Sequence, residues 1–218
     1  MKTKNKFIHA VGLRHSTKKE DIDKAMEIFH AILTSDDLND NNLSRAEIYR
    51  QLAKCSYKLD NYDQAIEHIN LGLQVVDDES INWCALKVLE AEVSQYAYNV
   101  MKPEIYYSIY ERFESNPNHF FVKALIWLGN ARYIDNEYTQ SKWYLKVIDH
   151  AGEDNNLLAQ AYIGLGNAKY TDDRHTRNHV WYLKAIECAD DDRNLLAQAY
   201  IGLGNARCTD NRSTQSDW

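Results

Sequence analysis

The chain has 218 residues, a formal net charge of −7 at pH 7 and 44% hydrophobic residues. This apolar content suffices for a buried core and excludes a disordered protein. The acidic balance argues against a general nucleic-acid binder, and no apolar run approaches the roughly 18 residues that cross a bilayer. With only 2 prolines and 8 glycines, the composition favours long helices.

The N-terminal region is basic. The first 19 residues carry six lysines and arginines and no acid, whereas residues 20–40 carry seven acids. The region lacks the apolar core and small-residue cleavage site of a signal peptide. Such a basic arm could contact phosphates or a membrane surface, but a solvated helix face or a loose terminus is the more common explanation.

Paired helices separated by short loops follow this arm. In DKAMEIFHAIL, Ala25, Ile28, Phe29 and Ile32 share one helix face. In the next helix, SRAEIYRQLAKCSYKL, Ser44 is the predicted N-cap, and Glu47 completes a capping-box pattern. Three helices come next, with the sequences DQAIEHINLGLQVV, INWCALKVLEAEVSQYAYNV and PEIYYSIYERF. Five more complete a prediction of about eleven helices and no strand.

One stretch occurs twice in the second half of the chain. LLAQAYIGLGNA spans residues 157–168 and again 195–206, 38 positions later. A looser copy, ALIWLGNARY, occupies residues 124–133. A fixed period of this size is typical of a protein built from stacked repeats.

LGNARY and LGNAKY, at residues 128–133 and 165–170, resemble the first helix of the tetratricopeptide repeat. WYLKV and WYLKA, at 143–147 and 181–185, resemble the related Sel1-like repeats. With Gly166 at position eight of the repeat, the resemblance places Tyr162, Tyr182 and Ala185 at three conserved packing positions. Asn178 departs from the small residue expected at position 20. In earlier repeats the equivalent packing residues are Ala25, Phe29, Ile32, Ala53, Tyr62, Ala65 and Gly72.

The resemblance implies an all-α fold, a right-handed α-solenoid of about five helix pairs plus a C-terminal helix. It would form one repeat domain over residues 1–218. The predicted repeats span residues 6–40, 44–79, 80–116, 118–152 and 155–190, with a final helix at 194–208 and a tail at 209–218. The third repeat fits the pattern poorly, and the 38-residue spacing implies loops longer than in the usual repeat of about 34 residues.

Three glycines recur inside predicted helices, at Gly129, Gly166 and Gly204. A glycine in a helix interior costs roughly 1 kcal/mol relative to alanine. Its repeated use predicts a neighbouring helix that crosses too closely for a Cβ atom.

In this family the first helix of each pair lines a concave groove. The positions that should face it form one ladder of asparagines and one of tyrosines. Asparagine offers a donor and an acceptor, as a peptide backbone requires, and tyrosine adds rigid contact area. Alternatively, these residues are simply common at these positions. The candidate peptide-binding residues are Arg50, Lys54, Tyr57, Lys123, Asn130, Tyr133, Gln160, Asn167, Tyr170 and Asn205. In the third repeat the same positions hold Val88, Ala91, Gln95 and Tyr98. The later helices add Ile126, Ile163, Gln198, Ile201 and Cys208 at these positions.

The groove lacks the two-lysine, two-asparagine, one-arginine carboxylate clamp of chaperone-binding relatives. Arg50 and Lys54 could still contact an acidic partner, although Glu47 on the same face weakens this idea. Alanine changes at Asn130 and Asn167 are expected to leave the fold intact, because these side chains are predicted to face solvent.

No catalytic, cofactor or metal signature is present in the sequence. His175 and His179 are four residues apart, but the residues between them include no acid, so solvated histidines are favoured over a metal pair. The acids at 190–192 are interpreted as helix-start charges, with Asn194 as N-cap. Cys55, Cys84, Cys188 and Cys208 form no C-x-x-C pair. Cys188 and Cys208 could meet in space, but reduced thiols in a cytoplasmic protein are favoured.

The sequence therefore predicts a non-enzymatic scaffold that binds another protein or an extended peptide, with no cofactor, nucleic acid or membrane span. One alternative is a signalling-peptide-sensing regulatory module, although such proteins usually carry a DNA-binding helix-turn-helix, which this sequence does not show. A second alternative is the regulatory part of a larger enzyme.

Overall fold

A computed structural model describes residues 3–35, 44–77, 80–99, 102–131, 137–168 and 178–215, without the side chains of 137–139, 178 and 207–215. Within these ranges the regular structure consists of eleven α-helices and no strand, which confirms the prediction of an all-helical chain. The helices are α1 Thr3–Arg14, α2 Lys19–Leu33, α3 Arg45–Lys58, α4 Tyr62–Gln74, α5 Ile81–Tyr98, α6 Pro103–Phe113, α7 His119–Asn130, α8 Glu137–His150, α9 Asn155–Asn167, α10 Asn178–Cys188 and α11 Arg193–Gln215.

The chain separates into two compact units, residues 1–105 and 106–218. In the first unit each helix from α1 to α5 packs on the next one along the chain, and α3 also contacts α5. In the second unit α7 to α11 pack in the same sequential way, and α9 contacts both α7 and α11. Neighbours in sequence are therefore neighbours in space within each unit, and alternate helices also touch.

The core of the first unit contains the face predicted for α2. Ala25, Phe29 and Ile32 are almost completely buried, whereas Ile28 is only partly buried. The ring of Phe29 meets that of Phe7 from α1 edge to face, with centroids 5.7 Å apart. The helix period read from the sequence therefore identified the correct buried face.

The N-terminal basic arm folds into α1. Its lysines at positions 4 and 6 are exposed, as expected for a solvated helix face. The carboxyl end of this helix is held by Lys58 of α3, whose Nζ donates to the carbonyl oxygens of Arg14, His15 and Ser16 at 3.2, 3.2 and 2.8 Å. A cation at this end also complements the negative pole of the helix dipole.

The N-cap prediction is confirmed for α3. The side chain of Ser44 accepts from the backbone N–H of Glu47 at 3.1 Å. The carboxylate of Glu47 does not complete the capping box, however, because it accepts from Arg50 at 2.7 Å and from Gln51 at 2.6 Å.

The N-cap prediction is wrong for α11. The side chain of Asp192 accepts from the backbone N–H groups of Asn194 and Leu195 at 3.0 and 3.1 Å, so Asp192 caps the helix and Asn194 lies inside it. The helix also continues to Gln215, past the predicted end at residue 208. Its last segment, TDNRSTQ, contains no glycine or proline to stop it.

Candidate binding surfaces

The repeated glycines of the second unit lie against tyrosine rings. A Cβ atom built on Gly129 would approach the ring of Tyr144 to 2.6 Å, and one built on Gly166 would approach the ring of Tyr182 to the same distance. Each ring also contacts a glycine of the following odd-numbered helix, Gly164 for Tyr144 and Gly202 for Tyr182. The close approach that the glycines permit is therefore that of an aromatic side chain.

Each of these tyrosines also holds an asparagine. The hydroxyl of Tyr144 donates to Oδ1 of Asn130 at 2.7 Å, and that of Tyr182 donates to Oδ1 of Asn167 at 2.9 Å. Burial raises the pKa of Tyr144 to about 12 and shifts that of Tyr182 in the same direction, so both hydroxyls remain protonated donors. We call this arrangement of one tyrosine, two glycines and one asparagine the tyrosine notch.

The notch corrects one expectation and adds to another. The neighbour that excludes a Cβ is a tyrosine ring rather than a crossing backbone, and it is found at two of the three glycines, because a Cβ on Gly204 would meet nothing within 4 Å. Asn130 and Asn167 are exposed, as predicted, but each also accepts from a tyrosine hydroxyl. Replacing either by alanine would remove that partner, so we expect each change to lower the stability as well as to alter the surface.

A pocket of about 160 Å³ opens on α7, α9 and α11 of the second unit. Six of the residues around it occupy positions predicted to face a groove, and together with Gly164 and Leu195 they form its lining. These six are Ile126, Asn130, Gln160, Ile163, Asn167 and Gln198. Of the candidate binding residues, the structure thus brings Asn130, Gln160 and Asn167 together.

The pocket combines an apolar lining with side-chain amides. Ile126 and Ile163 are only 5% and 6% exposed. Because the Oδ1 atoms of Asn130 and Asn167 accept from tyrosines, what these two side chains offer a ligand is their Nδ2 donors. The volume is below the roughly 300–1,000 Å³ of a typical small-molecule site, so the pocket suits one side chain and its backbone better than a whole metabolite.

The other candidates in this unit lie elsewhere. Lys123 is partly buried and Asn205 is exposed, and neither lines the pocket. Tyr133 and Tyr170 lie outside the described residues, so the predicted tyrosine ladder has no structural account there.

In the first unit the candidates Arg50 and Lys54 lie on α3 near a third cation, Arg14 of α1. Both ends of the Arg50 guanidinium group bind Glu47, with Nε at 2.7 Å from its carboxylate. Burial lowers the pKa of Lys54 to about 8, with further lowering from the charges of Arg50 and Arg14. Sequence reasoning missed Arg14, because only the tertiary packing of α1 on the α2–α3 core brings this basic-arm residue close.

The two tyrosines of the predicted ladder in this unit, Tyr57 and Tyr98, make different contacts. The ring of Tyr57 packs edge to face with that of Tyr96, 6.1 Å between centroids, whereas the hydroxyl of Tyr98 donates to Asp63 at 2.5 Å. Val88 and Ala91, predicted to face a groove, are buried to 3% and 1% exposure. The core cluster that α5 shares with α3 and α4 contains Leu86, Leu89 and Val93 rather than these two residues.

The described residues contain no group of three or more histidine, cysteine or acidic residues that could hold a metal ion, and no helix long and apolar enough to cross a membrane. Cys55, Cys84 and Cys188 form no disulfide. His175 and the side chain of Cys208 fall outside the described part of the chain, so the histidine pair and the nearness of Cys208 to Cys188 stay untested.

Comparison with models of known protein families gave no match for this chain, and comparison with curated proteins gave none either.

Proposed function

We propose that the protein is a scaffold of the tetratricopeptide type, an α-solenoid that binds an extended segment of another protein. The pocket on α7, α9 and α11 carries this proposal. Six of its lining residues form three pairs at equivalent repeat positions, and all six are predicted from the sequence to face a groove, namely Ile126 and Ile163, Asn130 and Asn167, and Gln160 and Gln198.

The chemistry of the pocket suits an extended peptide. An apolar side chain of the partner would contact Ile126 and Ile163, while its backbone carbonyls would accept from the amides of Asn130 and Asn167. Gln160 and Gln198 have both donors and acceptors and can pair with either backbone group. The two asparagines are already fixed by their tyrosines, so binding loses less side-chain entropy than it would with mobile amides.

The test uses peptides selected from a random display library on the intact chain. The pocket variant is Gln160→Ala with Gln198→Ala, since these glutamines line the pocket and lie outside the tyrosine notches. The control is Asp149→Ala with Glu187→Ala, two exposed positions on α8 and α10.

We expect selected peptides to bind the pocket variant at least about tenfold more weakly, which corresponds to the loss of one or two hydrogen bonds, while the control keeps wild-type affinity. Equal affinity of the two variants for every selected peptide would show that this pocket is not the binding surface.

A further inference from the structure

Two helices of the first unit bring several cationic side chains together. The carbonyl oxygen of Arg14, the last residue of α1, accepts from the Nζ of Lys58 on α3 at 3.2 Å, so the end of α1 lies beside α3. Arg50 and Lys54 precede Lys58 at intervals of four residues, a spacing that places side chains on one helix face. The charges of Arg14 and Arg50 both act on Lys54. We call Arg14, Arg50 and Lys54 the cationic cluster.

The carboxylates near this cluster leave it with an excess of positive charge. Both oxygens of Glu47 accept from Arg50, at 2.7 Å each. Glu92 of α5 also lies close enough to act on Lys54. Burial is the main reason why the pKa of Lys54 falls to about 8, and the arginines Arg50 and Arg14 lower it further than the two carboxylates raise it. The electrostatic field at Lys54 is therefore positive in spite of both acids.

The guanidinium group of Arg14 is poorly satisfied. Its Nη2 donates to Nε2 of His15 at 2.7 Å, and its Nε is buried without an acceptor among the described residues. Neither nitrogen is paired with a carboxylate, although the side chain is partly buried. A partly buried cation without a compensating anion is costly, so an anion at this place would stabilise the folded protein.

We propose that the cationic cluster of Arg14, Arg50 and Lys54 is a binding site for a phosphate group. A phosphate monoester carries close to two negative charges near neutral pH and presents three acceptor oxygens. Guanidinium groups bind such oxygens in pairs, whereas a lysine contributes a compact point charge. One phosphate thus supplies the charge that the cluster lacks and an acceptor for each of its three side chains.

This site lies in the first unit and shares no residue with the pocket on α7, α9 and α11. Either site can therefore fail its test without affecting the other. The phosphate group belongs either to a free phosphorylated molecule or to a phosphorylated segment of a protein, and the two sources offer the cluster the same chemistry.

The test titrates the isotope-labelled intact chain with inorganic phosphate and, separately, with a short phosphoserine peptide flanked by alanines, followed by NMR. Ionic strength is held constant with sodium chloride, so that screening stays the same. The binding variants are Arg14→Gln and Lys54→Gln. The control is Lys24→Gln, which removes one positive charge at an exposed position of α2. Circular dichroism checks that each variant keeps the wild-type helix content.

We expect the wild type and Lys24→Gln to bind inorganic phosphate saturably, with a Kd on the order of 1 mM. Arg14→Gln and Lys54→Gln should each bind at least about tenfold more weakly, because a charged hydrogen-bond donor is lost. Tighter binding of the phosphopeptide than of inorganic phosphate would support the site and assign it to a protein segment. Equal affinity for the two would support the site and assign it to a free phosphate.

A second measurement follows Lys54 itself through its Cε signal, which is identified by its absence from Lys54→Gln. The charged and titratable groups that act on Lys54 are Arg14 and His15 from α1, Glu47 and Arg50 on α3, and Glu92 from α5. A bound anion favours the charged form, so saturating sulfate should raise the pKa of Lys54 above about 8. Sulfate stays a dianion as the pH changes, and by linkage its binding should weaken as the pH rises through about 8.

Two results of the titrations would overturn the proposal, namely no saturable binding of phosphate up to about 50 mM, or equal affinity for the wild type and both binding variants. The first result includes the case in which a carboxylate from residues of this chain that the structure does not describe already fills the cluster. An unchanged pKa of Lys54 in saturating sulfate would also overturn it, since the anion would then bind elsewhere.

Discussion

Tyr144 and Tyr182 each pack into a space that exists because two glycines lack a side chain. One repeat earlier, the equivalent space between helices is filled differently. There, Tyr106 of α6 stacks on Trp127 of α7, with ring centroids 5.7 Å apart and an interplanar angle of 10°. Trp127 occupies the position in α7 that Gly164 occupies in α9. In the second unit, equivalent space between helices is therefore filled either by a tyrosine ring lying on a glycine or by two stacked aromatic rings.

Gly166→Leu is expected to destabilise the protein by about 1–3 kcal/mol or more, because the leucine must displace the ring of Tyr182. Gly204→Leu should leave the stability unchanged or slightly higher, since it gains helix propensity without a clash. The measurement is urea unfolding of both variants beside the wild type. Equal midpoints for the two variants would contradict the packing described for α10.

This pair of variants also shows where sequence reasoning stops. The resemblance to the tetratricopeptide repeat placed Tyr182 and Ala185 at packing positions, and both are buried. It could not reveal that the ring of Tyr182 is what lies on Gly166. Nor could it distinguish Gly166 from Gly204, because the twelve surrounding residues are identical and only distant chain segments make their environments differ.

At the scale of elements, the helices begin where side chains satisfy their first backbone N–H groups. Asn118 caps α7 by accepting from two backbone N–H groups, and Asp154 caps α9 by accepting from Leu157 at 3.1 Å. Several acids and amides precede α11 in the sequence, so its pattern alone does not identify the N-cap. Asp192 caps the helix because its side chain accepts from the backbone N–H groups of both Asn194 and Leu195.

Asp192→Ala is expected to lower the free energy of unfolding by about 1 kcal/mol, because two N–H groups at the start of α11 lose their acceptor. Asn194→Ala should change it by less than about 0.5 kcal/mol, since Asn194 is exposed within the first turn. Thermal unfolding followed by circular dichroism distinguishes the two. A larger loss of stability for Asn194→Ala than for Asp192→Ala would support Asn194 as the N-cap, as predicted from the sequence.

On the scale of the whole molecule, both compact units are made of helices that pack on their sequence neighbours, so most of the packing is local in the chain. A polar side chain can be buried inside such a unit when a neighbouring helix supplies a hydrogen-bond partner. In the first unit, His68 of α4 is 5% exposed and its Nδ1 lies 3.3 Å from the hydroxyl of Ser56 on α3. The ring centroids of His68 and of His30, which lies on α2, are 5.8 Å apart.

This arrangement predicts that acid weakens the protein. Burial, and secondly the nearby His30, lowers the pKa of His68 below its usual value of 6.5. The unfolded chain therefore binds a proton that the folded chain resists, and the free energy of unfolding should fall as the pH drops below about 6.5. His68→Gln, which retains hydrogen-bonding capacity, should flatten this dependence.

The measurement is urea unfolding at a series of pH values between about 5 and 8. His9→Gln, a change at an exposed histidine of α1, serves as the control and should keep the wild-type pH dependence. The same slope in His68→Gln as in wild type would show that this buried histidine is not the group responsible.

The duplication in α9 and α11 has a consequence for measuring local order. Backbone amides with the same flanking side chains have the same chemical rate of hydrogen exchange in an unfolded chain. Each amide of Leu158–Ala168 therefore has an intramolecular reference in Leu196–Ala206. The ratio of the two exchange rates reports the difference in opening free energy between α9 and α11, with no correction for local sequence. For Tyr162 and Tyr200, this difference compares a residue whose ring stacks on Trp181 with one whose side chain is largely exposed.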